Sequence, residues 1–439
     1  DPDGTRGRGD GPEQPDGATA SHRSRRARPH DDGRPRHARR PDPDRPDADP
    51  PGARLRDDAL VRVHDPAGRP RGLGFLADHH GTVVTAHEVV DGQSRLVVHT
   101  AGGSRSCVVT AAAVTPLPER GLALVRTEGL GVDPLPVTVR DRCGTGTYVH
   151  IPAGGWRQAR VLDAAPATYT ATDRHHALDG VLELAIGTAG RDALRLGGGA
   201  AGGPVLDATT GAVLGVLGTA LHSAHGDAVL AAPLRPAPDG PLTDLLGYNA
   251  ATVPAHGADL NLAGVLELTA TQVAQDAPPS GSQGAPVQRA AVTAEFDAFL
   301  AGPATVLGLV GPPGSGRTTE LAGLAARRTH GPGPAPTLWL RGADLAADDT
   351  SVADAARRAL DRAARILAAS AGVDLAADLT PERLARLARD AGRPLLLLLD
   401  GPEEMPPAAA DRLADWTGAT ARWLRDHGAG PVGEAVRGG

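Results

Sequence analysis

Two different hydrophobic periods divide this chain, and that division constrains its fold more than any other feature. Between Leu60 and Leu234 the apolar residues come in short runs. They lie at Leu60 to Val63, Gly74 to Leu76, Thr82 to Thr85, Arg95 to His99, Cys107 to Thr110 and Leu122 to Arg126. Further runs follow at Gly146 to Ile151, Val181 to Ala185, Pro204 to Leu206, Ala212 to Leu217 and Ala228 to Leu234. Short runs spaced by Gly and Asp predict many strands closed into an all-β sandwich or barrel. From Val287 onward the spacing changes. Val352, Ala356, Ala359, Ala363, Ile366 and Leu367 recur mostly at steps of three and four and predict one helix face. Thr380-Pro381-Glu382 reads as a helix start with proline in the first turn. Apolar stretches at Val306 to Val310, Thr337 to Leu340 and Leu395 to Leu399 alternate with these helices, which predicts a parallel sheet with helices on its faces. One β module and one α/β module are therefore expected.

The boundaries follow from composition. Residues 1–55 are rich in Arg, Asp, Pro and Gly, and the first fifty hold no Val, Ile, Leu, Met, Phe, Trp, Tyr or Cys. Such a segment has nothing to offset the entropy of folding, so a disordered tail is expected. Residues 56–236 form the β module, 237–285 bring Pro, Gly, Ser and Gln and read as a linker with some structure, and 286–439 form the α/β module. Aromatics are only 2% of the chain, so the cores must be built mainly from Ala, Val and Leu, which bury less area each. His22 to Arg40 is locally rich in arginine, but Asp residues balance it across the tail. A net charge of -7 gives no reason to expect specific nucleic-acid binding. With only Cys107 and Cys143, neither a disulfide framework nor a cysteine metal site is expected. No apolar run approaches the roughly 20 residues of a membrane span, and no secretory signal precedes the β module. A soluble, cytoplasmic protein without a membrane partner is expected. The chain begins at Asp1, as a fragment of a longer protein would.

Two motifs in the β module carry chemistry. Thr85-Ala86-His87 ends an apolar strand, where a fixed histidine can act as general base to a hydroxyl supplied from elsewhere. Far along the chain, Gly197 to Val205 reads GGGAAGGPV and leads into the run Ala212 to Leu217. Together these resemble the trypsin-like serine peptidase family over roughly residues 58–235. By that resemblance His87 corresponds to the base and Ala201 stands where the nucleophilic serine belongs. Gly121 occupies the acid's place, with Glu119 two residues before it. A methyl group cannot form an acyl intermediate, so the covalent route is closed. Gly199 and Ala201 would supply the backbone amides of an oxyanion-type pocket, with Gly202 and Gly203 permitting the tight turn.

In the second module, Gly311-Pro312-Pro313-Gly314-Ser315-Gly316-Arg317-Thr318 has the spacing of a phosphate-binding loop, with arginine in the lysine position and Thr319 following. Some eighty residues on, the leucine run ends in Asp400-Gly401-Pro402-Glu403-Glu404 and predicts a fully buried central strand with a carboxylate at its end. These features resemble the STAND class of P-loop NTPases, including NACHT-type proteins. The resemblance implies Mg held by Thr318 and Asp400, with Glu403 or Glu404 orienting water. It also implies ATP or GTP on residues 311–319, and nucleotide-dependent self-association. Arg317 keeps the charge but is planar and bulkier than an ammonium, which favours binding over fast turnover. The chain ends at Gly439, before the later strands and helical lid of that class.

The fold class expected is thus a trypsin-like all-β double barrel followed by an α/β P-loop NTPase, a pairing similar to that of actinobacterial multidomain proteins. The leading functional expectation is a regulatory or defence-type switch that binds nucleotide and carries an inactive trypsin-like domain for a peptide or protein ligand. The alternative is an active trypsin-like endopeptidase coupled to the NTPase, and a third reading makes both modules interaction scaffolds.

Overall fold

The short apolar runs pair into two antiparallel sheets. A computed structural model describes residues 57–197, 200–224, 228–277, 289–371 and 379–428; the expected tail and Gly199 lie outside these. The first sheet takes β1 (Leu60–His64), β2 (Pro70–Leu76), β3 (Thr82–Ala86), β4 (Arg95–Thr100), β5 (Ser106–Thr110), β6 (Val114–Leu117) and β7 (Leu122–Arg126). Their order is β5-β4-β1-β2-β3-β7-β6, and a single turn of helix, α1 (His87–Val90), follows β3. The second sheet takes β8 (Tyr148–Pro152), β9 (Trp156–Thr170), β10 (His175–Ala185), β11 (Pro204–Asp207), β12 (Val213–Gly218), β13 (Leu221–Ser223) and β14 (Val229–Pro233), with helix α2 (Thr188–Gly197) before β11. Its order is β10-β14-β12-β11-β8-β9-β13, and a further β9 to β10 pairing closes six of the strands into a ring.

Alternation explains these sheets. Along β4, Leu96, Val98 and Thr100 turn inward while their neighbours are more exposed, as a strand with one solvated face requires. The largest core joins both sheets: Phe75 and Leu122 from the first pack in one cluster with Tyr169, Leu206 and Val216 from the second. Each such buried side chain contributes about 1.5–3 kcal/mol relative to exposure.

The stretch expected as a linker contains two helices, α3 (Pro241–Thr252) and α4 (Leu262–Asp276). Buried polar groups fix both. Asn249 is fully buried; its amide donates to Ala77 O (2.7 Å) and Leu135 O (2.9 Å) and accepts from Val137 N (2.9 Å). Asp259, also fully buried, accepts from Thr138 Oγ1 (2.6 Å), Thr210 Oγ1 (2.5 Å) and both Nε and Nη2 of Arg140 (2.8 Å each). Asn261 then caps α4 by accepting from Gly264 N at 2.9 Å. Composition alone marks this stretch in the sequence, and it does not register a buried asparagine or aspartate with several partners.

Beyond lie α5 (Ala290–Ala301), α6 (Arg317–His330), β15 (Thr337–Arg341), α7 (Val352–Ala371), α8 (Pro381–Asp390), β16 (Leu396–Asp400), α9 (Pro407–Ala410) and α10 (Leu413–His427). Strands β15 and β16 pair in parallel, Thr337 opposite Leu396 through Arg341 opposite Asp400. Gln272 of α4 bonds both N and O of Trp339 (2.7 and 2.6 Å), fastening α4 to β15. Thr380 caps α8 by accepting from Arg383 N at 3.2 Å.

Three expectations need correction here. Val306 to Val310 forms no strand: Val306 is 68% and Val310 97% exposed. A strand exists only with a hydrogen-bonded neighbour, and among the described residues this run has none. For the same reason β16 is an edge strand rather than a central one, with Leu396, Leu397 and Leu399 only half-buried. On α7, Val352, Ala356, Ala359 and Ala363 are buried as the spacing predicts, but Ile366 is exposed.

Candidate functional site

His87 opens α1 at the end of β3, where its main-chain N–H donates to Gly121 O at 3.0 Å and so continues the β3 to β7 ladder. The histidine and the glycine in the acid's expected place therefore meet through their backbones. Gly121 has φ +66, and a Cβ there would stand 3.1 Å from Leu178 Cδ2. Any side chain at this position would be strained, so the local turn itself requires glycine.

The imidazole Nδ1 lies 2.7 Å from the Tyr169 hydroxyl, and both groups are buried. No local signal in the sequence points to this tyrosine, which reaches His87 only because β9 wraps the second sheet against the first. Burial holds His87 below the ordinary imidazole range, with Asp91 only partly compensating. Burial likewise pushes the Tyr169 phenol up. Asp91, one helical turn after His87, accepts from Thr172 N (2.7 Å) and Thr172 Oγ1 (2.8 Å); these bonds outweigh its burial and keep it below the usual carboxylate range.

Ala201 sits in a tight turn against the same strands. Its carbonyl accepts from Leu73 N at 2.8 Å, and a Cβ at Gly72 would stand 2.5 Å from that oxygen and 2.6 Å from Val89 Cγ2 of α1. Gly202 has φ +83, and a Cβ there would lie 2.1 Å from Leu73 O and 2.2 Å from Thr85 Oγ1. The motif's glycine is thus demanded twice, by backbone conformation and by close approach. The N–H groups of Gly202 and Gly203 are spent within the fold, on Leu217 O (2.8 Å) and Ala200 O (3.0 Å). Beside Ala200 a cavity of about 470 Å³ opens between the sheets, walled by Leu60, Arg62 and Leu73 on one side and Pro152 and Trp156 on the other.

The second group of residues gathers at the C-terminal end of β16. Gly314 (φ +80) and Gly316 (φ +83) adopt left-handed backbone just before α6, and nothing lies within 4 Å of a Cβ placed at Gly314. Thr318 Oγ1 donates to Asp400 Oδ1 at 2.8 Å, and Arg317 Nη2 donates to Glu403 Oε1 at 2.8 Å. A Cβ at Gly311 would meet Ser315 Oγ at 2.7 Å, so the loop folds back on itself. Thr319 is exposed on α6, and Glu404 is exposed beside the left-handed Gly401. Glu320, buried in the first turn of α6, accepts from Arg289 Nε at 2.8 Å. Among the described residues no cluster of three or more His, Cys, Asp or Glu could hold a metal ion by itself. No helix among them is long and apolar enough to cross a membrane.

Two antiparallel barrel-type sheets with a histidine at the end of one strand and a glycine-rich turn packed beside it define a trypsin-like peptidase domain. The family model of the trypsin-like peptidase domain matches residues 72–216. Among solved structures, the chain is similar to the Rv3671c protease from M. tuberculosis in its active form, at 20% identity and TM-score 0.31, covering 42% of this chain and 79% of that one. It is also similar to the HtrA-type protease AlgW with tripeptide, at 17% identity and TM-score 0.30, covering 42% of this chain and 60% of that one. The serine endoprotease from Yersinia pestis aligns at 16% identity and TM-score 0.29, covering 42% of this chain and 61% of that one. Comparison with curated proteins gave no match.

Proposed function

We propose that this chain is a nucleotide-binding switch protein whose trypsin-like domain holds a peptide or protein segment without cutting it. In that domain Ala201 offers a methyl in place of a nucleophile, and His87 leans on a neutral phenol in place of a carboxylate. A phenol cannot stabilise an imidazolium as a charged acid does. The cavity beside Ala200, with Trp156 in its wall, remains available to a ligand.

The observation that carries the nucleotide half is the Thr318 to Asp400 hydrogen bond of 2.8 Å, which joins two motifs 82 residues apart in sequence. The residues present fit a magnesium nucleotide. Main-chain N–H groups of the 311–316 loop would hold the phosphates, with no Cβ at Gly314 or Gly316 to intrude. Arg317 would face their charge, while Thr318 and Asp400 would hold the metal ion. When bound, ATP or GTP supplies a polyanion that neutralises this loop; binding rather than rapid hydrolysis is the proposed event. Calorimetric titration of the full chain with MgATP tests the reading, with Asp400→Ala and Arg317→Ala as controls. Binding in the wild type that both substitutions weaken is expected, and a wild type that binds neither ATP nor GTP overturns it.

A second reading, an active serine endopeptidase, is favoured by the family match over residues 72–216. A stoichiometric label from an active-site phosphonate probe would establish it in place of the first.

A further inference from the structure

Resting on the nucleotide reading above, we infer that Glu403 acts as an internal stand-in for phosphate, so that ligand must displace a carboxylate from Arg317 before it can bind. The geometry is specific. Arg317 is the first residue of α6, directly after the left-handed Gly316, and is the charged side chain nearest in sequence to the loop's main-chain donors. Its guanidinium is committed to Glu403 Oε1 at 2.8 Å, with the two side chains 31% and 56% exposed. Thr318, the next residue, is committed to Asp400. The two residues that would meet phosphate and metal are thus both satisfied from one acidic turn, Asp400 to Glu403, at the end of β16.

Guanidinium chemistry makes the first contact consequential. An arginine presents its donors as a planar fork and matches carboxylate and phosphate alike, so the same face that would take a phosphate oxygen is the one Glu403 occupies. A half-exposed pair of this kind exchanges readily for a more highly charged anion, since exposed ion pairs are individually weak. Glu403 therefore handicaps any anion that competes for Arg317 by the worth of this pair. On this account Glu403 positions Arg317 and touches no reacting atom.

The test is a double-mutant cycle read by calorimetric MgATP binding, using the full chain as wild type, Glu403→Gln, Arg317→Ala and the double variant. Glu403→Gln removes the competing charge and is expected to tighten binding by about 1.5- to 5-fold, the range of an exposed ion pair. In the Arg317→Ala background the same substitution is expected to change nothing. A gain that persists without Arg317 would mean that Glu403 simply repels phosphate, and overturns the inference. Unchanged or weaker binding by Glu403→Gln, in a wild type that does bind, overturns it while leaving the nucleotide reading in place. No binding by any of the four overturns both. Thermal melting of each variant separates these outcomes from misfolding; because both side chains are partly exposed, melting temperatures close to wild type are expected.

Discussion

Giving the trypsin-like domain back a hydroxyl should not give it back peptidase chemistry. Ala201→Ser places oxygen in a turn whose neighbouring carbonyl and amides are fixed by Leu73 and Leu217. The base it would need is compromised, because His87 Nδ1 meets Tyr169 Oη at 2.7 Å. Two arrangements of that bond exist. If the phenol donates, the ring proton sits on Nε2, which is then a donor and cannot accept a proton from any hydroxyl. If Nδ1–H donates, the tautomer is right, but its partner is neutral, and burial outweighs what the Asp91 charge offers the imidazolium that forms. In serine triads, replacing the acid by a neutral amide costs about 10⁴ in turnover, or about 5.4 kcal/mol at 1.36 kcal/mol per decade. Asp91 does not rescue the site, since its carboxylate is held by Thr172. The assay is mass-spectrometric labelling of Ala201→Ser by a fluorophosphonate, with Ala201→Ser/His87→Ala as control. Labelling at least 10³-fold slower than an intact triad is expected. Rapid, stoichiometric, His87-dependent labelling would refute the argument that a phenol cannot serve here.

Asp259→Ala strips Arg140 of its fully buried partner; breaking such a pair costs about 3–5 kcal/mol, and the lower end is expected because Arg140 is one-quarter exposed and keeps Asp207 at 2.6 Å. Urea unfolding measures it, and a loss under about 1 kcal/mol would contradict the burial argument. Gly202→Ala should cost more than the about 1–2 kcal/mol of a left-handed backbone, because its Cβ also meets Leu73 O; Gly68→Ala, with φ +80 and open space, should cost the backbone share alone. Burial lowers the affinity of His87 for a proton, so the unfolded chain protonates first as the pH falls. Its contribution to stability is complete above about pH 6.5 and is lost below. An NMR titration midpoint for His87 at that value would abolish the effect, and one above it would reverse the sign.

The strands that the sequence announces most clearly are those with consecutive apolar residues, such as β3 and β7, because the first sheet buries them on both faces. Strand β9 is long yet reads poorly: Arg157, Gln158, Arg160 and Asp163 dominate it, and its inward positions are filled largely by Ala159, Val161 and Ala167. Strand β6 contains Pro116, which demotes a strand in any local reading but is tolerated at the end of a sheet. Val306 to Val310 fails in the opposite direction, being apolar and β-branched without a partner to pair with. Position in the site follows the same logic. His87, Ala201 and the 311–318 loop are visible because each sits in a short motif with its own spacing, whereas Tyr169 is defined only by ring closure of the second sheet. Asn249 and Asp259 escape for a related reason, since what distinguishes them is satisfied burial and not residue type.

The joint between the halves bears on how such a protein could act as a switch. Asp259 is anchored to Arg140, Thr138 and Thr210 in the trypsin-like domain, and the two residues before it, Gly257 and Ala258, present carbonyls to Arg383 of α8 at 2.9 and 3.0 Å. Helix α8 leads into β16, whose last residue is Asp400. A chain of hydrogen bonds and short connections thus runs from the second sheet to the turn that holds Arg317 and Thr318. Contiguity of this kind is not coupling, because a strut with one arrangement at each end conveys nothing. Coupling needs an end with two arrangements of different energy, and under the proposed nucleotide reading Arg317 would provide one, paired with Glu403 in the structure and with phosphate when ligand is bound. The strut then matters for direction: whatever moves the Asp400 to Glu403 turn acts on a segment whose far side is fixed to the trypsin-like domain by a buried carboxylate. Arg383→Ala, which removes the side-chain bonds to Gly257 O and Ala258 O at a partly buried point of the strut, should therefore leave MgATP affinity intact while reducing any nucleotide-dependent change in hydrogen exchange of residues 204–218.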